Sequence, residues 1–248
     1  MNYKYIRFYQ AALKRITPYF FAGLGYNMDY HIDIESDNAN LIESFNHYQY
    51  GAGQDNNSFS SGPSINLLYD TRANPFNPLP GFYANLVYRL NSTALGSDKS
   101  WQSLYIDLRK YISLSKGGPK KNVLALWGYY WTTLNAGTPY LDLPSVGWDP
   151  YNRSGRGMDQ NRYRGQGLIY VESEYRRDIT ENGLFGYVLF ANANSVTEAA
   201  GRNFRYINPA VGGGLRIKFN KGSATNIAID YGFSKGYNDL ILNLGETF

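Results

Sequence analysis

The chain has 248 residues, 43% of them hydrophobic and 18% charged, with no cysteine, 24 tyrosines and a net charge of +4. Mean hydropathy is -0.44, and no apolar run approaches the roughly 18 residues of a membrane-spanning helix, so a helical membrane protein and a disulfide framework are both excluded. An aromatic fraction of 17% argues against disorder. Lys and Arg are dispersed among nearly as many Asp and Glu, which leaves no basic stripe for nucleic acid.

Helical periodicity is almost absent, and the chain reads as nearly all β. Eleven strands are predicted, over 3–15, 18–34, 63–72, 81–92, 101–114, 121–135, 167–179, 184–196, 210–220, 225–236 and 238–248. In the second, Phe20, Ala22, Leu24, Tyr26, Met28, Tyr30, Ile32 and Ile34 share one face. Asn27, Asp29, His31 and Asp33 share the other, and the alternation outlasts the roughly 5–6 residues of an ordinary soluble strand. The fifth opposes Leu104, Ile106, Leu108, Ile112 and Leu114 to Ser103, Tyr105, Asp107, Arg109, Tyr111 and Ser113. The seventh opposes Ile169, Val171, Tyr175 and Ile179 to Glu172, Glu174, Arg176 and Asp178. A charged face does not pack inside a sandwich, but it suits a wet lumen whose apolar exterior meets lipid.

Connections alternate in length. Thr17-Pro18, 73–80, Lys116-Gly117-Gly118-Pro119 and Glu181-Asn182-Gly183 are short turns, and 35–62, 93–100, 136–166 and 197–209 are the opposite loops. Short turns on one side and long loops on the other are the layout of an outer-membrane barrel. Met1 to Arg15 lacks the apolar core of a secretory signal. With an odd strand count where barrels are normally even, 1–248 is expected to be an N-terminally incomplete barrel domain, either a fragment or a shortened member.

Catalytic readings are weak. Glu172 and Glu174 could serve as a glycosidase pair, but Arg176 beside them makes lumen polarity the simpler reading. His31 and His47 are the only histidines; His31 with Asp29 or Asp33 has spacing for a metal, but nothing further supports one. No G-x-S-x-G is present. Asp70 and Arg72 read as a lumen ion pair, Gly212 to Gly214 as a strand bend, and Trp101, Trp127, Trp131 and Trp148 as interfacial girdles. No catalytic residue, cofactor or metal is expected.

Four stretches carry a resemblance. They are Ser61-Gly62 with LLYDTRANPFNPLPGF (67–82), SGRGMDQNRYRG (154–165), Glu174-Tyr175-Arg176, and GGGLRIKF (212–219) followed by Ile229 to Phe233 and the terminal Phe248. In this order they resemble the outer-membrane assembly and translocation superfamily of β-barrels, the BamA/TamA type also called bacterial surface antigens. The chain is similar to the C-terminal eleven of that family's sixteen strands, and to members lacking periplasmic POTRA domains.

The resemblance implies a non-enzymatic protein of the bacterial outer membrane that inserts, assembles or translocates proteins or lipids through a weak seam between its first and last strands. The alternative is a passive pore or scaffold barrel. Outer-membrane lipid is the implied partner, with client outer-membrane proteins or further copies of the chain beside it, and no nucleic acid. In the family a loop arginine docks on acids of the two following strands, which carries over to Arg156, next to Gly157, with Glu174 as the first acid. The second acid's place, in the segment containing Phe190, is taken by Asn192, and Met158 replaces the aromatic, so the lock is expected to have one carboxylate fewer. The last strand is expected to present Leu240, Leu242, Leu244 and, past Gly245, Phe248 to lipid, with Glu246 interrupting that face.

Overall fold

Eleven strands form one antiparallel sheet in strict sequence order in the computed structural model, which describes residues 1–35, 56–78, 80–115, 120–198, 201–220, 222 and 224–248. They are β1 (Asn2–Arg15), β2 (Phe20–Glu35), β3 (Ser58–Asp70), β4 (Gly81–Asn91), β5 (Trp101–Ser113), β6 (Asn122–Thr133), β7 (Gly167–Asp178), β8 (Phe185–Val196), β9 (Asn208–Asn220), β10 (Thr225–Ser234) and β11 (Tyr237–Leu244). Among the described residues no ladder joins β1 to β11. The expected turn 116–119, most of the loop 35–62 and His47 within it lie outside the described residues.

Period-2 patterning decides which side each residue takes. Leu24, Leu108, Val171, Leu189, Leu215, Leu240 and Leu242 stand exposed on the outer face. Asp29, Asp107, Arg109, Glu172, Glu174, Arg216 and Asp230 are buried on the inner one. The inversion is the signature of a wall whose apolar side meets hydrocarbon and whose polar groups must satisfy each other within the lumen. Asp70 and Arg72 pair at 2.9 Å, as the sequence suggests.

Three expectations are corrected. Ile34 is buried rather than outward, because Asp33 takes a left-handed φ of 53° and a register shift in the β1–β2 ladder moves the following residues across the sheet. The tryptophans form no outer girdle. Trp101 and Trp127 are buried and donate their indole N–H to Ser60 Oγ (3.1 Å) and Asp107 Oδ1 (2.9 Å); Trp131 packs edge-on to Tyr105, and Trp148 lies against Tyr5. An indole that finds an acceptor inside loses nothing by burial.

The third concerns the C-terminus. β11 ends at Leu244, and Gly245 at φ 92° turns the chain inward. Leu242 and Leu244 face outward, but Phe248 is 3% exposed, with its ring 5.1 Å from that of Trp127 and its carbonyl accepting from Arg176. Glu246 is buried on Arg216 (2.7 Å) and Asn226 (2.7 Å) instead of interrupting the lipid face. A carboxylate at the end of an apolar strand is drawn to the nearest cation, here in the lumen, and Phe248 follows. The Pro-rich turn after β3 crosses to meet this end, with Phe76 O accepting from Glu246 N (2.9 Å) and Asn77 Nδ2 donating to Ala224 O (2.9 Å).

Candidate functional site

The segment between β6 and β7 runs back into the lumen and carries Arg156, 2% exposed, to its centre. The guanidinium Nε donates to Glu172 Oε1 at 2.9 Å and Nη1 to Asp230 Oδ2 at 2.7 Å, while Nη2 reaches both Glu172 and Glu174. Its Cζ lies over the Phe190 ring, 3.8 Å from the centroid. Burial alone would lower the Arg156 pKa, but the three carboxylates more than offset it and hold it well above its usual value, so the group stays charged. Around this centre Tyr170 donates to Glu172, Arg176 to Glu174, and Arg216 to Asp230. Four acids, Glu172, Glu174, Asp230 and Glu246, thus face three arginines in one connected network.

Local structure delivers the arginine. Asp149 accepts from Ser154 N (2.9 Å) and Ser154 Oγ (2.6 Å), closing the approach, and Gly155 N donates to the Tyr170 hydroxyl (3.0 Å). Past Arg156, Gly157 takes φ 79° and lies so close to Gly232 on β10 that a Cβ on it would come 2.6 Å from Phe233 N. Its N–H donates to Asp239 of β11 at 2.9 Å, which ties the loop tip to the last strand. Asn192 does not pair with the guanidinium; its Nδ2 donates to the Arg156 carbonyl at 2.9 Å. Asn194 meets Met158 Sδ at 3.0 Å.

A family model described as an Omp85 superfamily domain matches residues 2–248. The chain belongs to the Omp85 superfamily. No curated protein matches the chain. Among solved structures, BamA from Haemophilus ducreyi lacking POTRA domains 1–3 is similar in fold, with a TM-score of 0.69 at 15% identity. The match covers 98% of this chain and 54% of that one, so this chain spans about half the length of that BamA. As an Omp85 barrel sheet the protein is an outer-membrane protein, and its family is one of assembly and translocation barrels.

In this Omp85 chain the expectation of one carboxylate fewer is overturned: Glu172 and Asp230 both reach Arg156 beside Glu174. The acid absent from β8 is supplied by β10, and β9 between them carries Gly212 and Gly214 where Phe190 and Asp230 come closest. β9 pairs with β8 and β10 in unbroken register through Gly212 to Gly214. A side chain at Gly212 or Gly214 would collide with the Phe190 ring or the Asp230 carboxylate that surround Arg156. Sequence reasoning missed Asp230, Arg216 and Asp239, although the inward period of β9 to β11 marks each of them.

His31 lies apart from this network. It is fully buried and stacked on Tyr5 at 4.5 Å, with Asp142 3.8 Å from Nδ1. Ser60 donates to Asp142 (2.6 Å) and not to the histidine, so the order a serine hydrolase needs is not formed. Burial first, and then the nearby Asp29 charge, push the Asp142 carboxyl up to about 7. An unfolded aspartate titrates near 3.9, so the folded chain keeps a proton that the unfolded chain has lost across that interval. This contribution to stability is complete below about pH 4 and is lost as pH rises toward 7. The folded band on a denaturing gel is therefore expected to melt at a lower temperature at pH 8 than at pH 5, and Asp142→Asn to shrink the difference. An unchanged difference in Asp142→Asn contradicts this.

Proposed function

We propose that this protein is the membrane-embedded part of an Omp85 machine that inserts, assembles or translocates proteins or lipids, and that it performs no catalysis itself. The observation that carries the reading is the buried loop arginine ligated by acids of β7 and β10. Such a centre is costly to assemble and serves to hold one arrangement of the barrel until something displaces it. In this reading Arg156, Gly157, Glu174, Phe190 and Asn192 lock the loop, and 1–248 acts as one barrel domain. Release of the lock loosens β10 and β11, and with them the seam to the first strand. Outer-membrane lipid and unfolded outer-membrane proteins are the partners.

The loop held inside the lumen by its buried ion pairs supports this over a passive pore. Lipid vesicles carrying the protein are expected to fold an unfolded outer-membrane barrel several-fold faster than empty vesicles. Equal rates contradict the reading, and a steady conductance in planar bilayers without acceleration establishes the pore instead.

A further inference from the structure

The connection between β3 and β4 lies at the short-turn end of the sheet, the periplasmic end of a barrel of this layout. Its base is tied: Thr71 N donates to Phe82 O at 2.9 Å, Phe82 N to Thr71 Oγ1 at 2.8 Å, and Arg72 N to Asp70 Oδ1 at 2.9 Å. Between these anchors stand Pro75, Pro78 and Pro80, whose fixed φ makes the segment a stiff arm. Asn74 Oδ1 accepts from Phe76 N (2.8 Å) and Asn77 N (3.2 Å) and shapes the tip.

The tip reaches the far end of the strand order. Asn77 Nδ2 donates to Ala224 O, between β9 and β10, and Phe76 O accepts from Glu246 N, beyond β11, each at 2.9 Å. No ladder joins β1 to β11 among the described residues, so the arm supplies a link between the two halves of the sheet that strand pairing does not. What it holds is the inward tail. Gly245 lies so close to the arm that a Cβ on it would come 3.1 Å from Phe76 O, and Thr247 and Phe248 beyond it are buried. The Phe76 side chain stays 58% exposed, and the links to Ala224 and Glu246 are hydrogen bonds between neutral groups, weaker than the charge-assisted ones that fix Arg156. Contacts of this kind open locally while the strands around them stay paired.

We propose that the arm from Ala73 to Pro78 is a clasp that opens and closes over the periplasmic mouth of the lumen, and that the tail from Gly245 to Phe248 is freed to solvent when it opens. The clasp does not rest on the assembly reading, and its test involves no client.

The chain has no cysteine, so a single Thr247→Cys reports on the tail alone. Thr247 Oγ1 makes no hydrogen bond among the described residues, and the exchange removes none. In the full chain folded in detergent, this thiol is expected to react slowly with a maleimide. Asn77→Ala is expected to speed the reaction about fivefold, the effect of losing one hydrogen bond between neutral groups, with the heat-sensitive folded band retained. Ala210→Cys, buried at the opposite end of β9, is the control and is expected to react at one rate with or without Asn77→Ala. Should Asn77→Ala fail to fold, hydrogen exchange of the unsubstituted protein decides. The amides of Gly245 and Glu246, bonded to Asn226 O and Phe76 O, are expected to exchange through a local opening nearly independent of urea, and those of β10 only on global unfolding. Unchanged labelling of Thr247→Cys in folded Asn77→Ala, equal acceleration at Ala210→Cys, or exchange of Glu246 with the rate and urea dependence of β10 overturns the proposal.

Discussion

Arg156→Ala is expected to lower the stability of the folded protein by about 3–5 kcal/mol, the cost of removing one partner from a buried ion pair. The substitution leaves Glu172, Glu174 and Asp230, each no more than 3% exposed, with only Arg176 and Arg216 to share. It also removes the group stacked on Phe190. Urea unfolding in detergent, followed by the heat-sensitive gel shift, measures the loss. Glu174→Gln alone is expected to cost less, since Glu172 and Asp230 still hold the guanidinium. Because both changes strike one network, the double variant is expected to depart from the sum of the singles by more than about 0.5 kcal/mol. Additive effects contradict the coupling on which the proposed lock depends.

Phe248→Ala is expected to cost about 3–5 kcal/mol, the range for a buried phenylalanine reduced to alanine. The ring packs against Trp127 and lies 6.3 Å from that of Tyr111, and Arg176 stands over it at 5.3 Å. Leu242→Ala, at a site 68% exposed on the outer face, is expected to cost far less in detergent. Similar losses for the two variants would return Phe248 to the lipid side. The comparison matters for function because Glu246 and Phe248 are held by Arg216 and Arg176, the same arginines that complete the centre around Arg156. Loop and C-terminus therefore share one set of charges, and a change that disturbs one is expected to loosen the other.

Much of the wall is legible in the order of the residues. All eleven strands appear where alternation places them, and the largest boundary differences are at β3, which begins earlier at Ser58, and β11, which ends at Leu244. Of the residues proposed for the loop site, Arg156, Gly157, Glu174, Phe190 and Asn192 converge on one place in the lumen. The misreadings share a cause. Residue type alone points Trp101 and Trp127 outward, whereas the partner of each indole N–H sits on another strand. Phe248 points outward only if the strand period is extended through Gly245, where the chain breaks it.

Taken alone, the sequence determined the strand set, the two faces of the wall, the alternation of short and long connections and the superfamily, because each depends on local periodicity or on ordered short motifs. Only the tertiary structure decided which acids hold Arg156, where the C-terminus lies and how the four tryptophans line the lumen. Asp230 is 74 positions from Arg156 in the chain, and Phe248 is 72 from Arg176. Pairings at such separations follow from the curl of the sheet and from the cost of leaving a buried charge or indole N–H unpaired, and neither leaves a mark on neighbouring residues.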